Sequence, residues 1–113
     1  MSGVLALDDG TELAIDDRGY LLDPSQWRAE VAETMAGADG VTLEPAHWQV
    51  LEETRRYFDE HGIEPPMRAL VMRLRKRTGD TTLGSRELYR LFPDGPGLQG
   101  VRYAGLPRPV SCI

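Results

Sequence analysis

Apolar and polar positions alternate along residues 4–7 and again along 11–15, on either side of Asp8-Asp9-Gly10. A period of two marks a half-buried strand, and Asp-Gly suits a tight turn, so the two runs predict a β-hairpin. A second turn at Asp16-Asp17-Arg18-Gly19 leads into Tyr20-Leu21-Leu22, a brief extended piece.

The period then changes. Trp27, Val31 and Met35 recur every fourth residue with Ala32 beside them, the stripe of an amphipathic helix. Asp23 as N-cap, Pro24 at the first helical position and Gln26 three residues after the cap predict where that helix starts, and Gly37 and Gly40 where it ends. A second helix is expected from Glu44-Pro45 to about His61, with Gly62 as its stop and Trp48, Leu51 and Phe58 on its apolar side. Pro65-Pro66 opens a third helix that runs to Thr78 and Gly79. Met67, Leu70, Val71 and Leu74 form its i, i+3, i+4, i+7 stripe. Ser85 caps a short helix to Phe92, with Leu88, Leu91 and Phe92 packing. Pro93-Asp94-Gly95-Pro96 breaks the chain before a last helix, residues 96–104.

The pattern predicts a mostly α (α+β) fold: a small helical domain with a helix-turn-helix-like core, an N-terminal β-hairpin and a mobile C-terminal arm. Residues 1–104 form the domain and residues 105–113 the arm. Pro107 and Pro109 fix their own φ and push Leu106 and Arg108 toward extended backbone, while Gly105 lets the last helix end and the chain turn. Gly105, Pro107 and Pro109 are thus expected to act as hinge and spacer. From Gly105 to Cys112 the reach in polyproline form is about 22 Å.

A chain of 113 residues suits one domain, and its single cysteine permits no internal disulfide. Neither a signal-peptide pattern nor a membrane span is visible, so a soluble, cytoplasmic protein without membrane association is expected. The net charge of −5 is unevenly spread: residues 1–67 carry 15 acids against 4 bases, and residues 68–113 carry 9 bases against 3 acids. Arg68, Arg73, Arg75, Lys76 and Arg77 crowd the third helix and, with Arg108 on the arm, are candidates for binding an acidic partner. The last three helix cations also complement the helix dipole, which a solvated helix end would explain equally well.

Candidate chemistry narrows to one atom. Cys112 stands one residue before the end of the sequence on a proline-spaced segment, where a thiol is exposed and able to act as a nucleophile. Most lone cysteines are small buried hydrophobes; position argues otherwise here. His47, beside Trp48, reads as a structural histidine before a catalytic one. Two separated histidines and one cysteine build no zinc site, so neither metal nor cofactor is expected.

Gly19-Tyr20-Leu21, His47-Trp48, Arg68-Ala69-Leu70-Val71, Leu88-Tyr89-Arg90-Leu91-Phe92-Pro93-Asp94-Gly95-Pro96 and the segment from Ala104 to Ile113 resemble the TusE/DsrC family over essentially the whole chain. The family includes the sulfur relay protein TusE and the gamma subunit of dissimilatory sulfite reductase. The resemblance implies that Cys112 carries sulfur as a persulfide. It also implies partners: a TusBCD-like or rhodanese/TusA-like donor, and as acceptor a tRNA 2-thiouridylase or another sulfur-pathway protein. Members that work with sulfite reductase have a second arm cysteine where this chain has Val101, which places the chain on the TusE side, in tRNA wobble-uridine 2-thiolation. Met72 stands where a lysine is common, and Gly97 and Gly100 replace alanines, implying a looser base for the arm. Two alternatives stay open: DsrC-like sulfur trafficking in sulfur oxidation or sulfite metabolism, and a helix-turn-helix nucleic-acid binder, against which the net acidity weighs.

Overall fold

The computed structural model of the chain describes residues 3–109. Strands β1 (Gly3–Ala6) and β2 (Glu12–Ile15) pair antiparallel, with Gly3 opposite Ile15 and Ala6 opposite Glu12. The predicted Asp-Gly turn closes them: Leu7 N–H donates to Thr11 O, and Gly10 N–H to Leu7 O. The extended piece after the second turn contributes a single bridge, Leu21 to Ile15.

The first helix starts later than its capping signal predicts. The Asp23 carboxylate accepts from the Ser25 N–H and hydroxyl, but it caps only one tight turn, Pro24–Gln26. Trp27 then adopts extended backbone, and α1 spans Ala29–Ala38. The reason is tertiary. Trp27 leaves the helical path and donates its Nε1–H to the Tyr103 carbonyl at 2.8 Å, so a contact across the core overrides a local preference.

Helices α2 (Pro45–His61) and α3 (Met67–Thr78) end where expected. Gly62 and Gly79 take left-handed backbone, and their N–H groups close on the carbonyls of Phe58 and Arg75. A short α4 (Ser85–Leu91) comes next. The predicted last helix is two pieces, a wide π-type turn at Pro96–Gly100 that runs into α5, Val101–Tyr103. The helical faces converge on one core: Val31 and Met35 of α1, Leu51 of α2, Leu74 of α3, Leu88 of α4 and Tyr103 of α5. His47 sits inside it, accepting the Glu44 N–H at Nδ1 and bonding the Leu91 carbonyl through Nε2, edge-on to Phe92. Both ring nitrogens are committed, which is the structural role expected of it.

The packed body reaches two residues beyond the predicted boundary at 104. Leu106 is 2% exposed, and its N–H donates to the Val101 carbonyl. Gly105 is not a free joint either. It takes a φ of 74°, and a Cβ there would overlap the Trp27 indole. Burial of its apolar side chain holds Leu106 in the core, so the exposed part of the arm begins at Pro107. No helix among the described residues is long and apolar enough to cross a membrane.

Candidate functional site: the arm root and its cleft

The carbonyls at the end of a helix have no partners within it, and α5 is too short to dispense with outside donors. Trp27 supplies one to Tyr103 O, and the Arg55 guanidinium donates to Ala104 O at 2.7 Å while lying 4.4 Å from the centroid of the Trp27 ring. Burial lowers the Arg55 pKa from its usual value, with nearby Asp59 opposing. Trp27 and Arg55 therefore clamp the residues from which the arm departs.

A polar network fixes the other side of α5. Asp39 accepts from the Tyr103 hydroxyl and from Arg102, each at 2.6 Å; Gln99 donates to the Tyr103 oxygen and accepts the Asp94 N–H. Burial, then the Asp39 carboxylate, pushes the Tyr103 hydroxyl up to about 12. Burial alone would raise the Asp39 carboxyl, but the bonds from Tyr103 and Arg102 carry it below the ordinary carboxylate range.

Beside this network lies a cleft of about 590 Å³, lined by Arg18, Tyr20, Asp94, Leu98, Gln99 and Arg102 on the body and by Arg108 and Pro109 at the start of the arm. Arg108 faces two carboxylates of the second turn, Asp16 at 4.0 Å and Asp17 at 3.4 Å. The arm root is thus laid against the body. Cys112, the predicted nucleophile, lies outside the described residues, as do Val110, Ser111 and Ile113.

The predicted basic face divides. Arg73 and Arg77 both turn back to α2, where the buried Glu53 carboxylate accepts from each at 3.0 Å, and Glu60 and Glu52 add further ion pairs. These two are engaged by carboxylates of α2, whereas the expectation had them facing a partner. Arg75 donates to the Leu83 carbonyl while remaining exposed, and Arg68 and Lys76 are exposed on the same helix. Of the residues that build the arm root, the sequence marks Trp27 only as part of a helix stripe, and Asp39, Arg55, Gln99 and Tyr103 are not singled out. The unpaired carbonyls of a last helical turn are the one available sign that donors must exist somewhere.

The sequence matches the family described as DsrC like protein over residues 8–113. It is 41% identical over 105 residues to the protein named Sulfurtransferase TusE of Escherichia coli K12, covering 93% of this chain and 96% of that one. The protein of the same name from Sodalis glossinidius is 39% identical over 105 residues, covering 93% and 97%. Among solved structures, the oxidized gamma-subunit of the dissimilatory sulfite reductase (DsrC) from Archaeoglobus fulgidus superposes with a TM-score of 0.89 at 34% identity, covering 98% of this chain and all of that one. DsrC of Allochromatium vinosum gives 0.88 at 37% identity, with both chains fully covered.

Proposed function

The chain belongs to the DsrC-like protein family, and from that premise we propose that it is a sulfur carrier of the TusE kind, holding a sulfane sulfur as a persulfide on Cys112 and passing it along a relay that ends in 2-thiolation of the tRNA wobble uridine. What carries the proposal is the extent of the match, which runs through residue 113 and so takes in the only cysteine of the chain.

The chemistry is two like exchanges. The Cys112 thiolate attacks the outer sulfur of a donor persulfide; the donor's S–S bond breaks, its sulfur departs as thiolate, and a new S–S bond forms on Cys112. An acceptor thiolate then takes the same outer sulfur, and Cys112 leaves as thiolate. The sulfur's oxidation level is conserved, so no oxidant or reductant enters. The donor is a TusBCD-like complex, or one of the rhodanese/TusA type, and the acceptor a tRNA 2-thiouridylase, all cytoplasmic. Val101 favours this over DsrC-like trafficking: an apolar side chain, 1% exposed, occupies the position of the second arm cysteine, so Cys112 has no resolving thiol within the chain.

The test is genetic and chemical together. In a strain lacking the gene, the wild-type chain should restore 2-thiouridine in hydrolysed tRNA, measured by mass spectrometry, and Cys112→Ser should not. Unchanged 2-thiouridine in the deletion strain would remove the tRNA role.

A further inference from the structure

The carbonyls of Val101, Arg102, Tyr103 and Ala104 close the last helical turn, and each has its own donor. The Leu106 N–H donates to the Val101 carbonyl and the Gly105 N–H to that of Arg102, the paired bonds of a helix that ends in a left-handed glycine. Trp27 Nε1–H donates to the Tyr103 carbonyl at 2.8 Å, and Arg55 Nη1–H to the Ala104 carbonyl at 2.7 Å. No carbonyl of the turn is left over. Two donors belong to the turn itself, while the other two come from the segment before α1 and from α2, so the turn is held to the body from two sides.

Arg55 is the unusual member. Its guanidinium lies 4.4 Å from the centroid of the Trp27 ring and makes no ion pair among the described residues. A half-buried cation without an anion is a costly way to fill space, but a charged donor bonds a carbonyl more strongly than a neutral one. That bond goes to the residue before Gly105, where the chain turns toward the arm.

What is held at the root matters at a distance. Six steps separate Leu106 from Cys112, and a spacer of polyproline form covers about 19 Å in six steps, so a swing of about 10° at the root displaces its far end by about 3 Å. Reacting atoms must themselves be brought to roughly 3–3.5 Å. A root already fixed in direction also leaves less to be ordered when the arm enters another protein. Both effects apply to any protein site that takes Cys112, donor or acceptor alike.

We propose that Arg55 is a positioning residue for sulfur transfer, fixing through its bond to the Ala104 carbonyl the direction in which the arm leaves the body. This rests on the carrier function of Cys112. Arg55→Met keeps an unbranched chain against the indole but lacks the donor, and Arg55→Lys restores one. Trp27→Phe deletes the bond to the Tyr103 carbonyl and should act in the same direction, which keeps a probe in hand should the methionine variant fail to fold. Each variant is loaded with sulfur from a rhodanese-type donor, and transfer to the tRNA 2-thiouridylase of the same genome is followed over a range of loaded-chain concentrations. At unchanged circular dichroism, Arg55→Met should raise the KM for the loaded chain about fivefold and leave kcat near wild type, since the chemistry of a seated Cys112 is the same. Backbone order parameters from 15N relaxation at Leu106 and Arg108 should fall from about 0.85 toward about 0.6. Cyanide, which takes the outer sulfur as thiocyanate and needs no docking, should react at the wild-type rate, and Arg55→Lys should recover most of the KM. A lower melting temperature with wild-type KM and order parameters makes Arg55 a cap only and overturns the proposal, as does a fall in kcat alone or a lysine variant no better than methionine. Each of those results leaves the carrier intact. A wild-type chain that takes up no sulfur sinks the carrier function and this inference together.

Discussion

Gly105 meets two demands at once. Its left-handed backbone excludes β-carbon-bearing residues at a modest cost, and the Trp27 indole occupies the place a side chain would need. Gly62 has the same φ of 74° but open space around it, so the pair separates the two effects. Gly62→Ala should cost about 1 kcal/mol, and Gly105→Ala roughly 3 kcal/mol or more, read from urea midpoints; equal losses would contradict the close contact. That Gly105 ends a helix is legible in the sequence. That it faces Trp27 is not, because no periodicity links residues so far apart. The Tyr103 hydroxyl gives a pH test. Its pKa of about 12 in the fold, against roughly 10 unfolded, means that the native state holds this proton more tightly. The contribution is complete below pH 10 and lost as pH rises toward 12. Tyr103→Phe should therefore lower stability near neutrality by about 1–2 kcal/mol, through its lost bonds to Asp39 and Gln99, yet flatten the decline of the urea midpoint above pH 10.

Helices α2 and α3 are joined by charge as well as by apolar contact. Glu53, 4% exposed, pairs with Arg73 and Arg77 at once, so Glu53→Gln leaves each guanidinium with one exposed carboxylate, Glu60 or Glu52, in place of two. Because both arginines are about one-third exposed, the loss should be about 1–3 kcal/mol rather than that of a fully buried pair, measured by thermal unfolding. The ends of both helices are legible in Gly62 and Gly79, whose conformational freedom is a local property. The partners of the α3 arginines are not, since one sequence of cations serves a docking face and an internal brace alike. The start of α1 is hidden for a similar reason: Asp23 and Pro24 are a sound capping signal, satisfied here by a single turn before Trp27 is drawn away. The wide turn Pro96–Gly100 contains Gly97, where an added Cβ meets nothing within 4 Å. Gly97→Ala should raise the melting temperature, by an amount equivalent to about 0.5–1 kcal/mol, and an unchanged or lower value would mean that the turn needs glycine's freedom.

The molecule as a whole is a body that ends at Leu106 and carries the root of its arm beside a cleft. Ending the chain after Gly105 removes a fully buried leucine and should cost about 2–4 kcal/mol, whereas ending it after Pro107 should leave the melting temperature nearly unchanged. Equal stability of the two truncations would put Leu106 outside the core. The hairpin, the helices and the thiol at Cys112 are legible in local pattern and motif. The Trp27–Arg55 clamp and the Asp39–Tyr103 network are not, since each joins segments that only the fold brings together. All of this machinery matters only if Cys112 carries sulfur. The most direct measurement is the intact mass of the purified chain after incubation with a cysteine desulfurase relay or a rhodanese-type donor, before and after mild reduction. Wild type should gain roughly 32 Da, one sulfur on the thiolate, and lose it on reduction, while Cys112→Ser gains nothing. An equal gain in Cys112→Ser, or no gain in wild type, would contradict the account.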